Sequence, residues 1–409
     1  MARRRPPLSA VLHGTVVAEL TSSGPGQVTC RYTPEALAAY ELNAPVLSCS
    51  LPLSRRPATE AGRFFRGLLP EGAALAAAAA LAGVPTYDTF GLLSRFGRDV
   101  AGACVIGTDV GERVPGGVEH YSDDGLAEEV ADLDERPLAL HDDSELSLPG
   151  LQNKLLLVRT PTGWARPVGG YPSSHILKVE DRRFAGLVSA EADALRLARR
   201  LGLTTVETEV HEMGGVDCLV VSRFDRTADN GRMHQEDLCQ AVGADIDKAR
   251  GRGKYEQYGG PGFADAARLL RLHAIDPARE LRQLLRTVVF TYVIGNGDAH
   301  GKNLALLHRT PGHVELAPLY DTVPTILWPR LPDRAAMSIG GVTRLSAVRR
   351  SDILAEAVTW GMPVDRAEAV IEEFVDDCRS VLGETAVSDR LAVLLEERLA
   401  LLASERLTP

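Results

Sequence analysis

The order in which hydrophobic periodicity changes along the chain constrains its fold more than any single motif does. From residue 147 the pattern is one of strands with a single helix inserted. SLPGLQNKLLLVRT (147–160) is a turn entering a strand, and HILKVE (175–180) is a second strand. SAEADALRLARRLGL (189–203) has Ala190, Ala194, Leu197, Ala198 and Leu201 on one face of a helix that Gly202 stops. TTVETEVHEM and DCLVVSRFD (217–225) then give a hairpin. After Asp237 the periodicity is helical, through ARLLRLH, ARELRQLLRTVVFTYVI and the segments from Ser351 to Leu402. This order predicts an α+β fold: a β-rich lobe followed by an all-α lobe, with a cleft between them.

Upstream, residues 8–53 alternate apolar and polar through VLHGTVVAEL, QVTCRY and PVLSCSLPL, which predicts a small β meander. RFFRGLLPEG opens a helical stretch to Leu81, a second helix runs from Tyr87 to Phe96, and AGACVIG ends the region as a strand. Residues 1–107 therefore form a small α+β N-terminal domain without chemistry of its own. Residues 108–146 turn acidic and Gly/Pro-punctuated, an expected linker with one short helix near 124–131. The two lobes then take residues 147–233 and 234–409.

With 409 residues the chain has room for several cores, and 45% hydrophobic with 24% charged residues is ordinary for a globular protein. A net charge of −10 argues against broad nucleic-acid binding. Arg3, Arg4 and Arg5 are followed by Pro6 and Pro7 rather than an apolar segment, so no secretory signal is read, and no apolar run reaches membrane-spanning length. The six cysteines lack metal-ligand spacing and are expected to be small core residues. A cytoplasmic location is expected.

Where helices take over lies GNGDAHGKNLALL (295–307), set between the apolar runs Thr287–Ile294 and Leu304–Leu307, which read as strands. Asp298 and Asn303 stand at D-x-x-x-x-N, the spacing of a protein-kinase catalytic loop, in which the carboxylate accepts a hydroxyl proton and the Asn faces magnesium. Magnesium requires further oxygen ligands, and APLYD offers Asp321 across a hairpin. His300 and Lys302 add groups that can meet a nucleotide. Taken alone, the spacing equally suits a loop whose Asp and Asn cap turns.

Lys178 lies inside an apolar strand, as the phosphate-binding lysine of kinases does; the alternative is an edge-strand lysine reaching water. Glu191, on the following helix, is placed to position it, or is an ordinary surface Glu. SLPGLQNK stands where a kinase has its Gly-rich loop but has one glycine, so it is either a β-turn or, through backbone near Gly150 with Gln152 and Lys154, a phosphate cradle.

SLPGLQNK, HILK, RFDR (223–226), HQEDLCQ (234–240), GNGDAHGKN and LAPLYD, in that order, resemble the HipA family of serine/threonine kinase toxins, and residues 8–107 resemble its N-terminal domain. The resemblance implies a kinase-like two-lobed domain using ATP and Mg2+. It makes Asp298 the catalytic base, Asn303 and Asp321 the metal ligands and Lys178 the phosphate lysine. Ser147 matches the serine that members autophosphorylate, and Phe224 stands beside the adenine. Gln235 and Asp237 stand near the cleft, or serve as helix caps. The implied partners are a HipB-like helix-turn-helix antitoxin, which would carry any DNA contact, and a protein substrate such as an aminoacyl-tRNA synthetase. Pro149, Leu151 and Asn153 replace Ala, Ala and Glu of the best-known member, and Ser222 replaces a Glu. Two other readings stay open: a small-molecule phosphotransferase of the aminoglycoside/choline kinase type, which usually has His where this chain has Asn296, and an inactive antitoxin-binding scaffold.

Overall fold

The computed structural model describes residues 5–110, 116–134, 154–181 and 183–404. The chain divides into two compact units, one of residues 1–179, 210–236 and 307–313 and one of residues 180–209, 237–306 and 314–409.

The first unit opens with a hairpin of β1 (Leu8–Leu12) and β2 (Thr15–Thr21). Its turn residues His13 and Gly14 have φ of 48° and 80°, a left-handed pair that matches the twist of paired strands. With β3 (Thr29–Tyr32) and β4 (Val105–Gly107) they make an antiparallel sheet in the order β3-β2-β1-β4. Helices α1 (Pro34–Ala39), α2 (Gly62–Gly67), α3 (Gly72–Ala82) and α4 (Thr89–Phe96) accompany it. Phe64, Phe65, Phe90, Leu93 and Phe96 share its core with Leu8, Ala10, Val17 and Leu20.

Two local expectations fail here. PVLSCSLPL is not a strand and makes only a bridge between Ser48 and Leu51, because Pro45 and Pro52 supply no ladder donor. The helix predicted through to Leu81 breaks between α2 and α3, where Pro70 lacks an N–H and turns Leu69 away from helical geometry.

The second sheet of this unit has the order β5-β7-β6-β8-β10-β9. It comprises β5 (Gly117–His120), β6 (Lys154–Thr160), β7 (Gly163–Val168), β8 (His175–Val179), β9 (Thr208–Met213) and β10 (Val216–Ser222), with α5 (Asp123–Ala131) beside it. Strand alternation gives the sheet two apolar faces. Leu155, Leu157, Leu177, Cys218 and Val220 pack with Leu126 and Val130 of α5. Leu156, with Ile176 beside it, faces the other way and joins the core of the first sheet. Residues 117–134, expected as linker with one short helix near 124–131, thus contribute that helix as a cover and, beyond the expectation, an edge strand.

The second unit is mostly helical: α6 (Leu187–Arg200), α7 (Leu238–Val242), α8 (Lys248–Gly251), α9 (Phe263–His273), α10 (Pro277–Ile294), α11 (Arg350–Thr359), α12 (Val364–Glu384) and α13 (Asp389–Ser404). β11 (Gln235–Asp237) has Gln235 and Glu236 in the first unit; in the second, β12 (Ala305–Leu307) pairs with β13 (Glu315–Leu316). α10 packs against α9, α12 and α13, so every residue from Thr287 to Ile294 is buried. That run, read both within the helical stretch ARELRQLLRTVVFTYVI and as a strand entering the loop, is the end of this helix; burial on all sides overrides the strand preference of VVFTYVI. Asp276 caps α10, Pro277 occupies its first turn, and Gly295 ends it at φ 69°. Among the described residues no helix is long and apolar enough to cross a membrane.

Candidate active site

Gly295 releases the chain from α10 into the loop, which is then fixed from below. Gly297 N donates to Thr325 Oγ1 at 2.7 Å, and Ala336 N donates to Gly297 O at 3.0 Å. Buried Asn296 accepts from Asp298 N at 3.0 Å through Oδ1 and reaches Thr322 through Nδ2. Asp298 itself is exposed, with Oδ1 accepting from the Tyr255 hydroxyl at 2.9 Å. Asn303 Nδ2 donates back to Asp298 O at 3.0 Å, and His300 N to the same oxygen at 2.8 Å. His300 is buried with its ring edge-on to Tyr255, centroids 5.1 Å apart.

Beneath the loop, Lys302 Nζ meets Asp237 Oδ2 at 2.7 Å with both groups buried. Asp237 also caps α7, accepting from Gln240 N at 2.8 Å, while Gln240 Oε1 accepts from Asp237 N. Asp237 therefore carries the capping role foreseen as the alternative and anchors the loop lysine as well. Asn296, Asn303, Tyr320 and Asp321 line one small pocket. Asp321 is held at φ 48°, a left-handed conformation uncommon for a residue with a Cβ. The structure thus ties Asp298, His300 and Asn303 together within the loop and sets Asn303 and Asp321 on one pocket, and sequence reasoning missed Tyr255, whose partner lies 43 residues away.

The first unit holds the other candidates. Lys154 and Lys178 are directly opposed across β6 and β8, on the same face, each about 9% exposed. Gln235 is buried in β11, Phe224 is half-buried after β10, and Glu191, in the second unit, is buried on α6. Ser147, Gly150 and Gln152 lie outside the described residues.

RFDR builds a buried ionic lattice. Arg223 grips Asp225 through Nε at 2.9 Å and Nη2 at 2.7 Å, and its Nη1 donates to Ser173 Oγ at 2.8 Å. Arg226 Nη2 donates to Asp99 Oδ1 at 2.8 Å, and Asp225 Oδ2 accepts from Gly102 N at 2.6 Å. Burial would raise Asp225, but Arg223 and Arg226 overcome it and hold the carboxyl far below its ordinary range. Burial and the repulsion of Arg223 lower Arg226 to about 10. Nearby, Glu236 accepts from Ser48 Oγ, Cys49 N and His308 Nε2, while burial and His308 push His234 down to about 3.

Residues 146–382 match the HipA-like C-terminal domain and residues 8–107 the HipA N-terminal domain. The chain belongs to the HipA family. It is 37% identical over 340 residues to Y4mE of Sinorhizobium fredii, provisionally named a kinase, covering 80% of this chain and 79% of that protein. It is 29% identical over 311 residues to the serine/threonine-protein kinase toxin HipA of Shewanella oneidensis, covering 72% and 70%. The Shewanella HipA solved with HipB and operator DNA superposes with a TM-score of 0.77 at 24% identity, over 97% of this chain and 96% of that one. The fold is therefore the α+β, kinase-like fold of HipA proteins behind their N-terminal domain.

Among the described residues no three His, Cys, Asp or Glu cluster as a metal cage. An Asn and an Asp on one cleft suit a magnesium ion that takes its other oxygens from phosphate and water.

Proposed function

We propose that this chain is an ATP- and magnesium-dependent serine/threonine protein kinase, the toxin of a toxin–antitoxin pair. The observation that carries the proposal is that, in a HipA-family chain, Asn303 and Asp321 line one pocket while Asn303 Nδ2 also donates to the backbone carbonyl of Asp298. Asn303 and Asp321 would hold magnesium, which when bound neutralises charge on the transferring phosphoryl group. Asp298, the most exposed of the three, would orient the acceptor hydroxyl and take its proton. Lys178, with Lys154 on the same rung, would bind nucleotide phosphate, and Glu191 would position Lys178. His300 would contact phosphate, Phe224 the adenine, and Gln235 the cleft wall. Gly150 and Gln152 would belong to the phosphate loop, and Ser147 would be the autophosphorylated residue.

In this reading the lobes are residues 147–233 and 234–409, joined through 108–146 to the domain of residues 1–107. A HipB-like antitoxin, as in the Shewanella complex, would bind the chain, and a cytoplasmic translation component such as an aminoacyl-tRNA synthetase would accept phosphate.

The test is incubation of the purified chain with labelled ATP and magnesium beside Asp298→Asn, followed by mass spectrometry. Phosphate on Ser147 in the unsubstituted chain alone supports the reading. Equal incorporation by Asp298→Asn rejects Asp298 as base, and none in either rejects self-phosphorylation.

A further inference from the structure

We propose that Tyr320 is a positioning residue for the metal: its hydroxyl clasps Asp321 to Asn303 and so sets the span between the two magnesium ligands. This rests on the reading of Asn303 and Asp321 as those ligands. The residues directly before them, Lys302 and Tyr320, stand 18 apart in the chain, yet the Tyr320 hydroxyl donates to the Lys302 carbonyl at 2.6 Å. Tyr320 is half-buried and lines the same pocket as Asn303 and Asp321. A phenol at a pocket wall can satisfy its hydroxyl with water, so a bond to this carbonyl reflects geometry rather than a need of burial. On the other side of Asp321, Asn296 Nδ2 donates to Thr322 Oγ1 at 3.4 Å. Both neighbours of Asp321 are thus tied to the loop that carries Asn303. Between these ties Asp321 keeps its φ of 48°, which a residue with a Cβ holds only when its surroundings enforce it.

A clasp transmits position only where its far end is anchored, and Lys302 is anchored twice. Its Nζ meets Asp237 Oδ2 at 2.7 Å with both groups buried, and Asp237 is fixed in turn by the capping box of α7. The first N–H groups of a helix need acceptors outside it. In α7 these acceptors are loop carbonyls on either side of Lys302 and Asn303: Cys239 N donates to Gly301 O at 3.3 Å and Leu238 N to Leu304 O at 2.8 Å. Close approach there depends on glycine, because a Cβ on Gly301 would stand 2.5 Å from Pro261 Cγ and 2.7 Å from Cys239 Sγ. At the other end Leu319 N donates to Leu203 O at 2.9 Å, which holds the chain leading into Tyr320. Magnesium demands near-ideal octahedral geometry, whereas calcium accepts varied and irregular ligand sets. A tether that sets the span between two ligands therefore matters more to the smaller ion.

The experiment titrates the full chain with a non-hydrolysable ATP analogue by calorimetry, without metal, with magnesium and with calcium. The unsubstituted protein, Tyr320→Phe and Asp321→Ala are compared, each with its thermal midpoint. Phenylalanine keeps the ring on the pocket wall and removes the hydroxyl. Expected in Tyr320→Phe is a loss of about tenfold in the affinity gained from magnesium and of less than about threefold in that gained from calcium. Its metal-free affinity and midpoint should be unchanged, and Asp321→Ala should lose most of both gains. An intact magnesium gain in Tyr320→Phe beside a lost one in Asp321→Ala overturns the role of Tyr320 alone. Equal losses for the two metals, or a joint fall of metal-free affinity and midpoint, make the tyrosine merely structural and also overturn it. A full magnesium gain in Asp321→Ala, or none in the unsubstituted chain, overturns the ligand assignment beneath it.

Discussion

Two polar clusters of this molecule look alike as strings and opposite as structures. In the first unit, RFDR and Asp99 bury charge completely, and each carboxylate is gripped by guanidinium and backbone donors. In the second unit, the carboxylate of GDAHGKN is exposed and is approached by a neutral phenol hydroxyl, with backbone amides shaping the loop around it. Buried charge that is fully matched resists any change of state, which suits a scaffold. A carboxylate exposed on a loop fixed by hydrogen bonds lies where a substrate can reach it, which suits chemistry.

The sharpest way to break this contrast is exchange of each carboxylate. Asp298→Asn should lower phosphate transfer by about a thousandfold with no shift in melting; a coupled drop in thermal midpoint would place it with the scaffold. Asp225→Ala should cost about 3–5 kcal/mol, because Arg223 would remain buried and uncompensated. Chemical denaturation measures this, and a loss under 1 kcal/mol would mean the lattice is dispensable.

A smaller effect is expected at the cleft. Asp321→Ala should weaken magnesium-dependent nucleotide binding by about tenfold to a hundredfold, read by calorimetry with and without the metal. Unchanged affinity would remove Asp321 from the ligand set.

The smallest prediction concerns pH. His234 is lowered from 6.5 to about 3, first by burial and then by His308, so the fold binds it neutral. The unfolded chain takes up that proton below about pH 6.5 while the folded chain does not. The contribution is therefore complete above pH 6.5 and declines as pH falls towards 3. Between pH 7 and 5 the loss should be on the order of 1–2 kcal/mol, and His234→Gln should flatten that slope. An equally steep slope in the variant would assign it to other groups.

Much of this was legible from residues alone, for physical reasons. Strands β6, β8 and β10 carry apolar residues at strand spacing and were readable, as was α6. The edge strand β5 and its neighbour β7 were not, because GVEH and GWARPV are short, polar and broken by Gly and Pro. The D-x-x-x-x-N spacing located the loop, but VVFTYVI read both as the end of a helical stretch and as a strand until burial within a helical bundle decided for the helix. RFDR could be read only as a motif, since its meaning lies in Asp99, 127 residues from Arg226. Tyr255 carries no periodic signal at all; only the return of segment 253–260 to the loop gives it a partner.

The shared core of the first unit separates ancestry from folding. Family resemblance draws a border at residue 107, yet Leu156, with Ile176 against it, closes the core of residues 8–107. A fragment cut at that border would leave an apolar wound on both pieces, so the amino-terminal domain travels with the HipA-like C-terminal domain as an inseparable graft rather than a detachable module.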